Sequence, residues 1–322
     1  MASQPLPPPP EPGFLREIPL AVAAKKKQRA SGPLEPNAAL LKVARSGDDP
    51  EKIRELLNSG AEVNVRDNDG ETGLTLASLQ GHLETVKYLE QNGAEIDAKN
   101  NDGWTPLMLA SRNGHLEVVK YLQRNGADIE ANNNKGFWTL TPLMWASLEG
   151  HLEVVKYLHE YGAEIDAKNK EGMTALMWAS RNGNLEVVKY LHENGADIEN
   201  GTNFGLTSLS TACDKGHDKV VDYLLEKGAN VNSGLTHGGT PLEILVKKND
   251  QEDRIRHLLE KNANVNTKDV EGNTPLLTAM KLGHQEYVKL LVEHPDTNIF
   301  VKNDKNKNVF NFEKKGSEKI FR

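Results

Sequence analysis

Cysteine occurs once in this chain of 322 residues, at Cys213. An internal disulfide and a Cys-rich zinc site are therefore excluded, and such sparing use fits a reducing compartment. Long apolar runs are missing as well. No stretch approaches the roughly 20 residues of a membrane span, and the Pro-rich start lacks the apolar segment of a secretory signal. The simplest expectation is a soluble cytoplasmic protein. The nucleus becomes a second location if Lys25, Lys26, Lys27 and Arg29 serve as an import signal.

Chemistry-bearing motifs are equally scarce. Ten His residues are present, but none stands in an HExxH or Cys-His zinc spacing. Five of them (His82, His115, His151, His217, His284) follow a Gly at matching places in the chain, which suggests a structural task. Gly234 and Gly239 have the glycine spacing of a phosphate-binding loop, yet Thr240 stands where its Lys belongs. Carboxylates are numerous and scattered, with no pair placed together in a shielded site. Cys213 falls in a small-residue stretch and reads as a buried, inert thiol. No catalytic residue, metal site or cofactor is expected, and the chain does not read as an enzyme.

Charge is unevenly distributed. Residues 1–36 carry a net +2 and residues 304–322 a net +3, so the overall −7 leaves −12 on the body between them. Nucleic acid binds proteins mainly through Lys and Arg, so it is not expected on that body. A basic partner suits it better.

What the chain has in abundance is repetition. Gly70, Gly103, Gly136, Gly172, Gly205, Gly238 and Gly272 recur at intervals of 33, 33, 36, 33, 33 and 34 residues. A fixed period of this size marks a stacked-repeat protein. Residues 101–133 serve as the template. Asp102-Gly103 is turn chemistry. Thr105 and Pro106 read as N-cap and first residue of a helix of about two turns, which Asn113-Gly114 stops. A second helix over about His115 to Arg124 buries Leu116, Val118, Val119 and Leu122. Helices so short need neighbours to hold them. Trp145 and Trp178 occupy equivalent places in first helices, where packing between helices is the expected role.

The phrases Gly-x-Thr-Pro-Leu, Ala, Gly-His, Val-Val, Leu and Gly-Ala at this spacing resemble ankyrin repeats over about residues 37–303. The resemblance implies an all-α repeat solenoid of paired short antiparallel helices with β-hairpin or turn connections. Residues 1–36 read as a disordered Pro-rich and basic tail. About eight units follow, starting near 37, 68, 101, 134, 170, 203, 236 and 270, the first a degenerate cap. Residues 304–322 read as a partial capping unit, or as the point where a longer array is cut. In unit two, Gly73 replaces the expected Pro and should loosen that helix start. Unit seven, the most divergent, is expected to be the loosest.

The same resemblance implies a concave groove, lined by turn tips and the exposed edge of the first helices, that grips a protein or peptide. Carried over by position, Asp69 and Glu71 come from unit two, and Asp102, Trp104, Arg112 and Asn113 from unit three. Unit four supplies Lys135, Phe137, Trp138, Leu148 and Glu149, with the two aromatics in a three-residue insertion. Unit five supplies Glu171, Met173, Arg181 and Asn182, and unit six Phe204 and Leu206. Trp104, Phe137, Trp138, Met173, Phe204 and Leu206 are apolar where solvent-facing turns are ordinarily polar, which places the partner over units three to six. A monomeric scaffold or adaptor is the leading expectation. The alternative is the recognition segment of a larger enzyme, channel or signalling assembly. Asn64, and more weakly Asn232 and Asn266, resemble ankyrin-repeat sites modified by an asparaginyl hydroxylase; the competing reading is that each Asn stabilises a turn.

Overall fold

The computed structural model describes residues 35–133, 139–234, 239–248 and 252–311. Among these residues are sixteen α-helices and a 3-10 turn, with no strand. The helices come in pairs, one pair per unit. The first four are α1 (Pro36–Ser46) with α2 (Pro50–Asn58), α3 (Gly73–Gln80) with α4 (Leu83–Gln91), α5 (Pro106–Arg112) with α6 (Leu116–Arg124), and α7 (Pro142–Glu149) with α8 (Leu152–Glu160). The next four are α9 (Ala175–Asn182) with α10 (Leu185–Glu193), α11 (Ser208–Lys215) with α12 (Asp218–Glu226), α13 (Pro241–Lys248) with α14 (Glu252–Glu260), and α15 (Pro275–Leu282) with α16 (Gln285–Glu293). The 3-10 turn, Val309–Asn311, packs on α15 and buries Val309.

Odd-numbered helices pack on odd-numbered neighbours, even-numbered helices do so from α2 to α12 and again between α14 and α16, and the two helices of a unit pack on each other. The result is an all-α solenoid of two helical layers in which each unit touches only the next, so stability passes along the stack. The expected β-hairpin connections are hydrogen-bonded turns among the described residues. At the tip of unit three, for example, the Asn100 N–H donates to the Trp104 carbonyl at 3.1 Å and the Gly103 N–H to the Asn100 carbonyl at 2.9 Å.

Capping explains why such short segments are helical. Thr105 Oγ1 accepts the Met108 N–H at 3.3 Å, satisfying an amide that has no partner inside the helix. Thr141, Thr174 and Thr274 do the same. Thr72 and Thr207 precede residues other than Pro, and here the hydroxyls of Thr75 and Ser210 reach back to the cap amides to complete a capping box. That bond compensates for the missing Pro at Gly73. A Cβ on Gly73 would lie 2.8 Å from Leu40 Cδ2 and 3.2 Å from Leu89 Cδ1. Glycine therefore admits side chains from both neighbouring helices, α1 and α4.

Ala77, Ala110, Ala146, Ala179, Ala212 and Ala279 hold matching places in the first helices and are all fully buried. A single methyl lets neighbouring backbones approach closely, which raises dispersion contact along the row. Unit seven breaks this row with Leu245. Beside it lies a cleft of about 250 Å³ whose walls include Cys213, Val221, Leu245, Arg254 and His257. Trp145 and Trp178 are buried to 1% and 0% exposure, in keeping with a packing role.

The recurrent His residues tie unit to unit. The His82, His115, His151, His217 and His284 rings each donate, at 2.9–3.0 Å, to a carbonyl near the end of the preceding first helix: Ala44, Leu79, Arg112, Arg181 and Val246 respectively. These carbonyls are left over where a helix ends. Asn184 and Arg254 take over the task in units five and seven. The His115, His151 and His217 rings lie close over Gly81, Gly114 and Gly183 of the unit before. At Gly114, φ is +73° and an added Cβ would sit 2.5 Å from His151 Nδ1, so both backbone and space demand glycine.

Candidate functional site

Among the described residues, turn tips and the C-terminal ends of the first helices stack on one another, so a ledge of side chains runs along the array. The tips are joined directly. The Asn101 N–H donates to the Asp69 carbonyl at 3.0 Å and the Asn203 N–H to the Glu171 carbonyl at 2.9 Å. Asp69 and Asp102 are exposed at their tips. Glu71 is not: it is 8% exposed, and its Oε1 accepts from Asn100 Nδ2 at 2.7 Å. It braces one tip against the next.

Trp104 is partly buried. Its ring lies 4.5 Å from that of Trp145, tilted by 34°, so it covers the first helix of the following unit. The Arg112 guanidinium carbon stands 5.3 Å from both ring centroids, and Arg112 Nε is 3.6 Å from Glu149 Oε1. A cation over two ring faces is attracted by their quadrupoles. Trp104, Trp145, Arg112 and Glu149 thus form one cluster across units three and four. Exposed Asn113 and Asn182 lie further along the ledge, and their side-chain amides donate to the carbonyls of Leu109 and Leu148 at 2.8 Å each.

Several side chains expected at the surface are turned inward. Met173 is 1% exposed, Leu148 3% and Arg181 7%. Met173 directly precedes the cap Thr174, as Trp104, Leu140 and Leu206 precede their own caps, and Leu140 is fully buried. At Met173 and Leu140 this position faces the stack rather than water, whereas Trp104 and Leu206 there are only half-buried. Leu148 belongs to the buried hydrophobic core. Phe204, in contrast, is 42% exposed, and Leu206 is half-buried. Glu171 is also half-buried, and burial raises its carboxyl above the usual value. Lys135, Phe137 and Trp138, like the basic cluster Lys25, Lys26, Lys27 and Arg29, lie outside the described residues.

Asn64, Asn232 and Asn266 bridge successive units. Asn64 Oδ1 accepts the Glu95 N–H at 2.9 Å while its Nδ2 donates to the Gly93 carbonyl at 3.1 Å. Asn232 and Asn266 make the corresponding bonds to Asn264 and Asn262, and to Asn298 and Asp296. An acid in this position can only accept. Asp97 and Glu130 do so, and burial raises both their carboxyls.

A second cluster is not visible within any single repeat, because its members come from three of them. At the ends of α9, α11 and α13, Arg181, Lys215 and Lys248 gather around Asp214. Lys248 Nζ is 2.8 Å from Asp214 Oδ1 and also donates to the Asp214 carbonyl; Lys215 Nζ is 3.6 Å from Oδ2. Burial, then the adjacent Arg181 charge, lowers the Lys215 ammonium from its usual value, with Asp214 opposing. Burial likewise lowers Arg181. The signal that would have found the cluster is the last two residues of each first helix, read down the stack. Among the described residues, no group of three or more His, Cys, Asp or Glu side chains could hold a metal ion, and no helix is long and apolar enough to cross a membrane.

The family model for ankyrin repeats (3 copies) matches residues 40–133, 143–235, 198–269 and 232–308. No curated protein matches the chain. With that match running through every helix pair just described, the chain belongs to the ankyrin-repeat family, whose repeats are in general protein–protein interaction modules.

Proposed function

We propose that this protein is a non-catalytic binding module, and that its turn tips and first-helix ends over units three to six hold a protein or peptide segment, as a scaffold or adaptor does. The observation that carries this reading is the Trp104 cluster. A Trp ring backed by Trp145 and Arg112 is rigid, keeps part of its surface in water, and loses little entropy on contact. Phe204, exposed at the tip of unit six, extends the apolar contact along the same ledge. Exposed Asp69 and Asp102, on an array of net −12, favour a basic stretch of the partner over units two and three. The same charge speaks against nucleic acid as the ligand.

The test compares three forms of the purified monomeric chain: wild type, Asp102→Lys with Phe204→Ala on the ledge, and Glu117→Lys with Glu186→Lys on second helices. Proteins retained by the wild type from a cell extract are purified and titrated against each form. Loss of binding only in the ledge variant, with an unchanged melting curve, supports the reading. Equal binding by all three forms overturns it.

A further inference from the structure

All seven tyrosines of the chain lie in second helices or directly after one. Tyr88, Tyr121, Tyr157, Tyr190 and Tyr223 share one register, at intervals of 33, 36, 33 and 33 residues. Four of their hydroxyls tie a unit to the unit before it. Tyr121 donates to Glu90 Oε2 at 2.7 Å and Tyr157 to Gln123 Oε1 at 3.0 Å, while Tyr190 and Tyr223 bond to Nδ1 of His159 and His192, each at 3.0 Å. Tyr287 is buried in α16.

Tyr161 stands outside this order. It follows α8 at the place where Asn92, Asn125 and Asn194 follow their own helices, each donating its side-chain amide to the carbonyl four residues back at 2.7–2.8 Å. Tyr161 instead lays its ring against Tyr157, with centroids 4.3 Å apart, and remains 48% exposed. The other six tyrosines are buried or half-buried. Helix capping does not require a tyrosine here, since Asn serves in units two, three and five. The hydroxyl also has a cation beside it. A side-chain hydrogen bond to Tyr161 raises the guanidinium of exposed Arg124 above its usual value, and the charge partners acting on it are the phenols of Tyr161 and Tyr157 rather than a carboxylate. Lys120, Lys156 and Lys189 on the same layer each hold a Glu at 2.7–2.8 Å. Gly162 comes next in the chain, at a φ of +101° with open space around it, so the segment after the ring is not packed against a neighbour. Helix ends of this kind open at least cost. Exposed Glu160 and Glu164 flank the site and suit a basic peptide groove.

We propose that Tyr161 is a phosphorylation site: a separate tyrosine kinase transfers the γ-phosphoryl group of ATP to its phenol oxygen, and Arg124 then holds the phosphate. The phenol oxygen forms a bond to the γ-phosphorus as the bond from that phosphorus to the bridging oxygen of the β-phosphate breaks. The phenol proton passes to the kinase's base, and ADP leaves. The product carries about −1.5 to −2 charge at pH 7, and its oxygens match the planar fork of an arginine. It therefore ties the end of α8 to the end of α6. This inference does not depend on the ledge being the binding face.

The experiment incubates the full chain with ATP, Mg²⁺ and each of several purified tyrosine kinases, in wild-type, Tyr161→Phe, Tyr161→Asn and Arg124→Gln forms, and locates phosphate by peptide mass spectrometry. Tyr161 of the wild type should be modified at least about tenfold faster than any other tyrosine, because the other six must first leave packed sites. The Tyr161→Phe and Tyr161→Asn forms should melt with the wild type and gain no phosphate in that peptide. The phosphorylated wild type should melt about 2 °C above the unmodified chain, and Arg124→Gln should remove that rise. No phosphate on Tyr161, or equal rates at the other tyrosines, overturns the site. Phosphate on Tyr161 with no rise, or with a rise that survives Arg124→Gln, overturns Arg124 as its seat.

Discussion

Units three and four and units six and seven obey one repeat grammar yet differ in how tightly they are joined. Between the former, Ala110 and Ala146 bring the first helices close, a His ring lies on Gly114, and Arg112 has Glu149 to itself under two Trp rings. Between the latter, Leu245 replaces the small residue, Arg254 replaces His, and a cleft of about 250 Å³ opens at the seam. Unit seven also buries an acid: Glu243 is fully inaccessible. Its contact to Lys247 at 3.2 Å lacks the alignment of a hydrogen bond. In a one-dimensional stack such a seam is where the array is expected to open first, since no distant contact bridges it.

The comparison can be broken most directly in the core. Trp178→Ala, in the tightly packed unit five, should cost about 4 kcal/mol, whereas Leu245→Ala should fall at the low end for its class, about 2 kcal/mol, because it restores the residue used elsewhere and the seam can close. Urea unfolding monitored by hydrogen exchange in each unit would measure both. Equal losses would mean that the seam is packed as well as the rest.

The second test uses pH. Burial pushes the Glu243 carboxyl up to about 7, with Lys247 pulling it down. A folded-state value above the unfolded one near 4.5 means the native state binds the extra proton. That contribution to stability is complete below about pH 4.5, is lost as pH rises to about 7, and is absent above it. Glu243→Gln removes the dependence. Protection of α13 amides in the variant relative to the wild type should therefore grow between pH 5 and pH 8, by at most about 3 kcal/mol. A constant difference would show that Glu243 stays ionised throughout.

Smaller effects sharpen the picture in units three and four. Gly114→Ala forces a left-handed backbone on a residue with a Cβ and drives it into His151, and should cost about 2 kcal/mol. Gly126→Ala has a φ of +93° but open space, and should cost about half as much. Arg112→Lys trades a planar cation over two rings for a point charge and should cost about 1 kcal/mol in thermal unfolding. If the Arg112 variant loses nothing, the Trp cluster is held by ring packing alone.

Much of the solenoid was legible in the residues. Thr-Pro at helix starts, glycine at helix ends and a period near 33 each report a local backbone requirement, and local requirements are written in adjacent residues. The burial of Trp145 and Trp178 followed from their register with Leu109. The direction of Met173 and Leu148 did not follow, nor did the bond that draws Glu71 inward. Each depends on a neighbour one whole repeat away.

Sequence by itself determined that this chain must stack, because helices this short cannot bury enough surface alone. It determined too that His after the inter-helix glycine is structural, since the pattern repeats with the fold. Only the tertiary structure decided which side chains share the ledge. Arg181, Lys215 and Lys248 are separated by 34 and 33 residues along the chain and meet because three helices end side by side. Charge acts through space, and that spacing is set by packing.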